Sequence, residues 1–142
     1  HDVIIALGVV VLFNSLGIVH VPINLPIIAG FLTIIGYSLN DTIVLFDRVR
    51  ENLGNIKGSF GEIVNHSINQ TLARTLLTSL TTFAVVFILL ILNYGAESPI
   101  EGIAFTLMVG VVVGTYSSIF IASPLVIWFH DREERNAKAA KS

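Results

Sequence analysis

Asp41 is the residue whose position in the sequence most strongly indicates chemistry. It lies in an apolar run, and no other acidic or basic residue occurs from Pro22 to Phe46. An ionised aspartate at the centre of a bilayer is unfavourable by about 2.5–3.5 kcal/mol, and a protonated acid avoids part of this. A proton that moves through about 150 mV releases about 3.5 kcal/mol, which is of similar size. Asp41 is therefore predicted to be either a proton relay or a structural carboxylate, hydrated near the membrane edge or fixed in a pair.

Side chains that can form hydrogen bonds surround Asp41 in the sequence, and they are Tyr37, Ser38, Asn40 and Thr42. In an interior of low dielectric constant, hydrogen bonds between such groups are strong, and unpaired groups are unfavourable. The four residues are therefore predicted either to support Asp41 or to satisfy contacts between helices.

Arg74 is the predicted partner of Asp41, because it is a basic residue at the start of another apolar block. Thr71 and Thr78 lie three and four residues away from it, which places them on the same helical face. A polar stripe on an apolar helix must face other helices or water. In the alternative interpretation, Arg74 reaches the lipid headgroups from the edge of the membrane.

A charged turn follows the apolar run that contains Asp41, and it includes Asp47, Arg48 and Arg50. It coincides with the point at which the segment is expected to leave the membrane. The turn is predicted to anchor the helix at the interface, and a gating role is the alternative.

Small residues recur at every fourth position in the last apolar block, at Gly110, Gly114 and Ser118. Such a stripe lets the backbone of a neighbouring helix approach closely. It is predicted to serve helix packing rather than chemistry.

The composition is that of a membrane protein. The chain has 142 residues, of which 54% are hydrophobic and 13% are charged, whereas an average soluble domain is about 25% charged. It has no cysteine, so disulfides, thiolate catalysis and Cys-ligated metals are excluded. The four histidines are scattered along the sequence and do not indicate a metal site. The sequence has no phosphate-binding glycine loop, so it does not indicate an ATPase. We therefore expect no metal, no cofactor and no nucleic acid partner.

The apolar blocks predict an all-α, polytopic membrane helix bundle. Four transmembrane spans are predicted at about residues 3–19, 25–46, 74–92 and 103–129. A short amphipathic helix is predicted at about 59–72, where Ser59 and Glu62 have the spacing of a capping box. Residues 1–129 thus form a transmembrane domain, and residues 130–142 form a solvated tail.

The distribution of basic residues predicts the orientation. All eight lysines and arginines fall between Arg48 and Arg74 or after His130, and the two opposite loops have none. By the positive-inside rule, the loop between the second and third spans and the C-terminus lie in the cytoplasm.

Three stretches resemble a known family in the order and spacing of their residues. GYSLNDTIVLFDRVREN, at residues 36–52, resembles the signature of the SecD/SecF protein-export family, part of the resistance–nodulation–division superfamily. HSINQTLARTLLTSLTTF, at 66–83, and GTYSSIFIASPL, at 114–125, resemble its second and third blocks. The ending TYSSIFIASPL favours the SecF branch. The turn NYGAESPIEGIAFT departs from the family pattern, because it lacks the frequent Gly-Gly pair and Asp-Phe step.

The resemblance implies the C-terminal four spans of a six-span subunit in the bacterial inner membrane. It implies that the subunit, with SecD, couples the proton-motive force to late preprotein export through the SecYEG channel, with accessory translocase proteins as further partners. It also implies that Asp41 and Arg74 take part in proton transport, and that the protein is a transporter subunit rather than an enzyme. The alternative is a non-catalytic membrane scaffold that docks SecD and the channel, and a proton-coupled small-molecule exporter is a weaker third interpretation.

Overall fold

The computed structural model describes residues 1–96 and 98–139, and all regular structure within them is helical. The helices are α1 (Asp2–Ser15), α2 (Leu25–Asn55), α3 (Phe60–Asn93), α4 (Pro99–Ser117) and α5 (Ser123–Ala139). A π-helical turn, Ser118–Ala122, joins α4 to α5. The predicted all-α bundle is thus confirmed.

Three helical stretches are long and apolar enough to cross a membrane: Leu25–Asn55, Phe60–Asn93 and the continuous Pro99–Glu133. Helix α1 is apolar but has 14 residues, a length of about 21 Å against a hydrocarbon core of about 30 Å. It ends before Gly17, whose φ of 69° is favourable only for a residue without a side chain. The count of four spans therefore stays a prediction.

The predicted break between a short amphipathic helix at 59–72 and a span at 74–92 is wrong. One helix, α3, runs without interruption from Phe60 to Asn93. The physical reason is that no glycine or proline occurs between Gly61 and Gly95 to interrupt its hydrogen bonds. The predicted capping box at its start is confirmed, since the Glu62 N–H donates to the Ser59 hydroxyl and the Ser59 N–H donates to the Glu62 carboxylate.

The predicted boundary between the last span at 103–129 and the solvated tail at 130–142 stays a prediction. Helix α5 continues past Phe129 to Ala139, so the first part of the tail extends the same helical rod. Alternating acids and bases are compatible with an exposed helix, which explains why charge alone did not mark a helix end. The last three residues of the tail, 140–142, and Glu97 in the predicted turn lie outside the described residues.

Helix α4 lies at the centre of the bundle and packs against α1, α2 and α3. A first apolar cluster joins the four helices and the loop after α1, through Val10, Val19, Val21, Ile27, Val86, Leu90, Ala104 and Phe105. A second apolar cluster joins α2 and α3 at the other end, through Leu45, Val49 and Val64. Between the clusters along these helices lies a set of polar residues, here named the polar layer: Tyr37, Ser38, Asp41, Ser79, Thr115 and Ser118.

The small-residue stripe of α4 faces α2. A Cβ atom added at Gly110 would lie 2.2 Å from Cγ1 of Ile34, and one added at Gly114 would lie 3.4 Å from Cβ of Ser38. Ser118, the next member of the stripe, is buried. The backbone of α4 therefore approaches α2 closely just where the polar layer lies.

Candidate functional site

Asp41 lies on the buried face of α2, in register with Ile34, Leu45 and Val49. The residue is 6% exposed, and its Oδ2 has no hydrogen-bond partner within the described part of the chain. It follows Leu25 by 16 residues, a rise of about 24 Å, so it is close to the middle of this long helix. Buried polar atoms are rarely left unpaired, and an unpaired one in a native structure asks for a functional explanation.

Three hydroxyl groups connect the central helices beside Asp41. The Tyr37 hydroxyl donates to Oγ of Ser79 at 3.2 Å, and Oγ of Ser79 lies 2.6 Å from Oγ1 of Thr115. This chain joins α2, α3 and α4 in one layer. The three hydroxyls are hydrogen-bonded to one another. Within the described residues, Asp41 is the member of the polar layer with a buried oxygen that has no hydrogen-bond partner.

Ser38 joins the polar layer to α1. Its hydroxyl donates to Oδ2 of Asp2, and Oδ1 of Asp2 lies 2.7 Å from Nδ1 of His1. Asp2 is not one of the predicted site residues, because it lies far from Asp41 in the chain. Only the packing of α1 across α2 and α4 brings it there.

No direct ion pair joins Arg74 to Asp41 among the described residues. The Arg74 side chain is exposed and lines a polar cleft between α2 and α3 with a volume of about 290 Å³. Asp47, Arg48 and Thr71 line the same cleft. Val44, which follows Asp41 by three residues on α2, lines this cleft as well.

The charged turn of α2 is divided between the cleft and open surface. Arg48 forms an ion pair with Glu51 at 2.6 Å, and both residues line the cleft together with Asp47. Arg50 is exposed and lies outside the cleft lining. The structure thus brings Asp47 and Arg48, but not Arg50, together with Arg74.

Three of the predicted supporting residues lie away from the hydrogen bonds of the polar layer. Asn40 is exposed and Thr42 is half-buried. Thr78 is exposed, and its hydroxyl donates to the carbonyl oxygens of Arg74 and Thr75 within α3. Among the described residues, Tyr37 and Ser38 are the two supporting residues with hydrogen bonds to other helices.

The π-helical turn begins at Ser118, which belongs to the polar layer and follows Thr115 by one helical turn. The Ser123 hydroxyl donates to the Ser118 carbonyl at 3.4 Å, and Pro124 has no N–H to continue the regular ladder. Pro124 is the sequence signal that indicates such an irregularity inside an otherwise apolar block. π turns of this kind occur often at functional sites.

No group of three histidine, aspartate or glutamate side chains within residues 1–96 and 98–139 could hold a metal ion. The structure brings together a buried carboxylate, hydroxyl groups and, in the cleft between α2 and α3, basic residues.

Long apolar helices with large hydrophobic side chains on their outer faces, and a buried acid between them, define a helical membrane protein. A family model described as protein export membrane protein SecD/SecF, C-terminal, matches residues 1–132. The chain belongs to the SecD/SecF family.

The relatives of the chain include several proteins named protein translocase subunit SecF. The one from Desulfurispirillum indicum is 52% identical over 136 residues, which cover 93% of this chain and 40% of the relative. Those from Rhodothermus marinus and Petrotoga mobilis are 50% and 51% identical, covering 99% and 98% of this chain and 45% and 43% of the relatives. The chain thus spans less than half the length of these relatives, and their names confirm the predicted likeness to the SecF branch.

Proposed function

We propose that this chain is the C-terminal membrane part of a protein-export subunit. With SecD, the subunit couples the proton-motive force to late steps of preprotein export through the SecYEG channel. The observation that carries this proposal is the buried, unpartnered Oδ2 of Asp41 in the middle of α2. The name of the relatives, protein translocase subunit SecF, supports the role in export.

Proton exchange at Asp41 supplies the coupling. In an apolar bundle the neutral acid is the form that needs no partner, whereas the carboxylate needs hydrogen bonds or a nearby cation. Release of the proton therefore favours an arrangement in which Arg74 or water from the cleft reaches Asp41. Each change of protonation state biases the packing of α2 against α3 and α4, and this bias is the step that performs work.

The cleft between α2 and α3 is the exit for the proton on the cytoplasmic side. Its walls carry Asp47, Arg48, Glu51 and Arg74, which keep it hydrated at the end of α2 that holds the basic residues. In this arrangement Arg74 acts on the charge of Asp41 across the cleft and does not hold it in a fixed pair. No covalent chemistry is needed, so the subunit works as a transporter component rather than an enzyme.

The proposed orientation places the cleft and the C-terminal helix α5 in the cytoplasm of a bacterial cell, with four spans in the inner membrane. All lysines and arginines then lie on one side. A reporter enzyme that is active only in the cytoplasm, fused after Ser142 and separately after Tyr94, tests this orientation in cells. We expect activity from the first fusion and none from the second, and the reverse pattern would contradict the orientation.

A scaffold that docks SecD, the channel or accessory proteins is the second candidate. It is favoured by an apolar groove of about 450 Å³ between α3 and α4, lined by Leu80, Phe83, Tyr116, Phe120 and others. Such a groove offers a surface for a neighbouring membrane helix. In this case the buried acid serves folding or assembly, and proton flow is not required.

Substitution of Arg74 by glutamine separates the two candidates. If Arg74 acts on the charge of Asp41, its loss lowers the rate of proton-driven export by about tenfold or more, because release of the proton becomes less favourable. Recovery of the full-length complex from membranes stays unchanged. The measurement is export into membrane vesicles, with complex recovery followed in parallel.

Arg50→Gln is the matched control for the Arg74 substitution, because it removes an arginine that is exposed on α2 outside the cleft lining. Complex recovery that falls in step with export in the Arg74 variant would favour the scaffold. Full export in that variant would contradict the proposed role of Arg74.

A further inference from the structure

Asp2 is a second carboxylate at the polar layer that the mechanism above does not use. Its side chain is 12% exposed, so it is largely withdrawn from the surface. Its Oδ2 accepts the hydrogen bond from Ser38, and its Oδ1 is paired with the His1 ring. Two polar groups thus hold the carboxylate of Asp2 against the polar layer.

Ser38 places Asp2 at nearly the same depth as Asp41. Ser38 follows Leu25 by 13 residues, a rise of about 20 Å, and Asp41 lies one turn further, at about 4.5 Å along the axis. Residues three apart on a helix are neighbours on its surface. Ser38, whose hydroxyl is bonded to Asp2, and Asp41 thus occupy neighbouring positions on one turn of α2.

Helix α4 also packs against this turn of α2. A Cβ atom added at Gly114 would lie 3.4 Å from Cβ of Ser38, so the backbones of α2 and α4 are in close contact there. From Gly102 to Phe129, α4 and the segment after it have no aspartate, glutamate, lysine, arginine or histidine. The charged groups that face the layer are therefore His1 and Asp2 from α1, Asp41 from α2 and Arg74 from α3.

We propose that Asp2 is a second proton-binding group of the relay and exchanges protons with Asp41 through the Ser38 hydroxyl. This inference rests on the proposed function of Asp41. The O–H bond of protonated Asp2 breaks as its proton passes to Oγ of Ser38, while the hydroxyl proton of Ser38 passes to the ionised Asp41. The hydroxyl is regenerated, and the negative charge moves from Asp41 to Asp2.

The arrangement gives the proton a direction. Asp2 lies on the side of Asp41 that is opposite the charged cleft. In the proposed relay the proton therefore passes from Asp2 to Asp41, and from Asp41 to the cleft with Arg74.

The test uses the full-length protein with its translocase partners in proteoliposomes that carry an imposed pH gradient. Proton uptake is followed with a pH-sensitive dye at several external pH values, and protonated carboxyl groups are followed by infrared difference spectroscopy. Asp2→Asn preserves the shape of the side chain and an oxygen that can accept from Ser38. We expect it to lower proton uptake by about tenfold or more, to shift the pH profile and to remove one carboxyl band.

Two further variants separate a relay from a structural contact. Ser38→Ala retains both acids but removes the hydroxyl between them, and we expect it to lower uptake as well. Asp2→Glu restores the acid, and we expect it to recover part of the uptake. Thr33→Val is the matched control, because it removes a hydroxyl of α2 that bonds within its own helix.

Each outcome decides the inference. Wild-type uptake and pH profile in Asp2→Asn, combined with an inactive Asp41→Asn variant, would overturn the role of Asp2 and leave the proposed function standing. Proton uptake that persists in Asp41→Asn would overturn the proposed function itself. If Asp2→Asn does not assemble, Ser38→Ala decides, and unchanged uptake in that variant would overturn the relay.

Discussion

Replacement of Asp41 by asparagine is expected to abolish proton-driven export, while the protein still folds and assembles. Asparagine has the same shape as the neutral acid, so the packing of α2 against α4 is preserved. It cannot release a proton, and the step that couples the gradient to movement is lost. We expect export driven by the proton gradient to fall by about a hundredfold or more, the effect typical of losing an essential proton-transfer group.

The measurement compares three quantities for the Asp41→Asn variant of the full-length protein in membrane vesicles: recovery of the complex, proton uptake and export. Asp131→Asn, an exposed carboxylate on α5, is the control for the same chemical change at a site outside the polar layer. Asp41→Glu retains the acid and should preserve part of the activity. Full export in Asp41→Asn would contradict the coupling mechanism, and loss of the complex in that variant would favour the scaffold.

The features that the sequence predicted correctly depend on local chemistry. The apolar blocks give the all-α bundle, and the Ser59 and Glu62 spacing gives the capping box at the start of α3.

The features that the sequence did not predict depend on long-range packing. Asp2 meets Ser38, although 36 residues separate them, because α1 crosses α2 and α4. Ser79 and Thr115 join the polar layer for the same reason, since the hydroxyl chain needs three helices in one place. The π-helical turn was not predicted, because the strongly apolar block around Pro124 indicates an uninterrupted helix.

The continuity of α3 explains why the charges near its start matter for the site. Since no break separates the amphipathic part from the apolar part, the position of Gln70 and Thr71 in the cleft is rigidly linked to that of Ser79 in the polar layer. Asn52 on α2 donates to Ser67 at 2.8 Å and to Gln70 at 3.0 Å, which fastens the same end of α3 to α2. In the proposed mechanism, a change in the charge of Asp41 is therefore expected to move the α2–α4 contact rather than the end of α3 that is bonded to α2.

Substitution of Gly110 by alanine is expected to destabilise the bundle at that contact. The new Cβ would lie 2.2 Å from Cγ1, 2.5 Å from Cδ1 and 3.0 Å from Cγ2 of Ile34, which is itself buried. A β-branched side chain that is closely packed cannot turn away from three such contacts, so α2 and α4 must separate. Overpacking of this kind destabilises a fold by about 1–3 kcal/mol.

The size of the effect should follow the space at each glycine. At Gly102 the new Cβ meets the end of the Ile27 side chain at 2.9 Å, which can move, and at Gly36 it meets nothing within 4 Å. The free energy of unfolding in mixed micelles is therefore expected to fall most for Gly110→Ala, less for Gly102→Ala and not at all for Gly36→Ala. Equal losses at Gly110 and Gly36 would contradict the close approach of α4 to α2.

A second substitution distinguishes a steric conflict from a general loss of helix stability. Ile34→Ala removes all three atoms that the new Cβ at Gly110 would meet, although alone it leaves a cavity that costs about 2–5 kcal/mol. The double variant should therefore be more stable than the sum of the two single effects indicates, by about 0.5–3 kcal/mol. Strict additivity would show that residues 34 and 110 do not touch.

Gly114 and Ser38 lie one turn further along the same contact between α2 and α4. Gly110→Ala should therefore reduce export as well as the free energy of unfolding, whereas Asp41→Asn should reduce export alone.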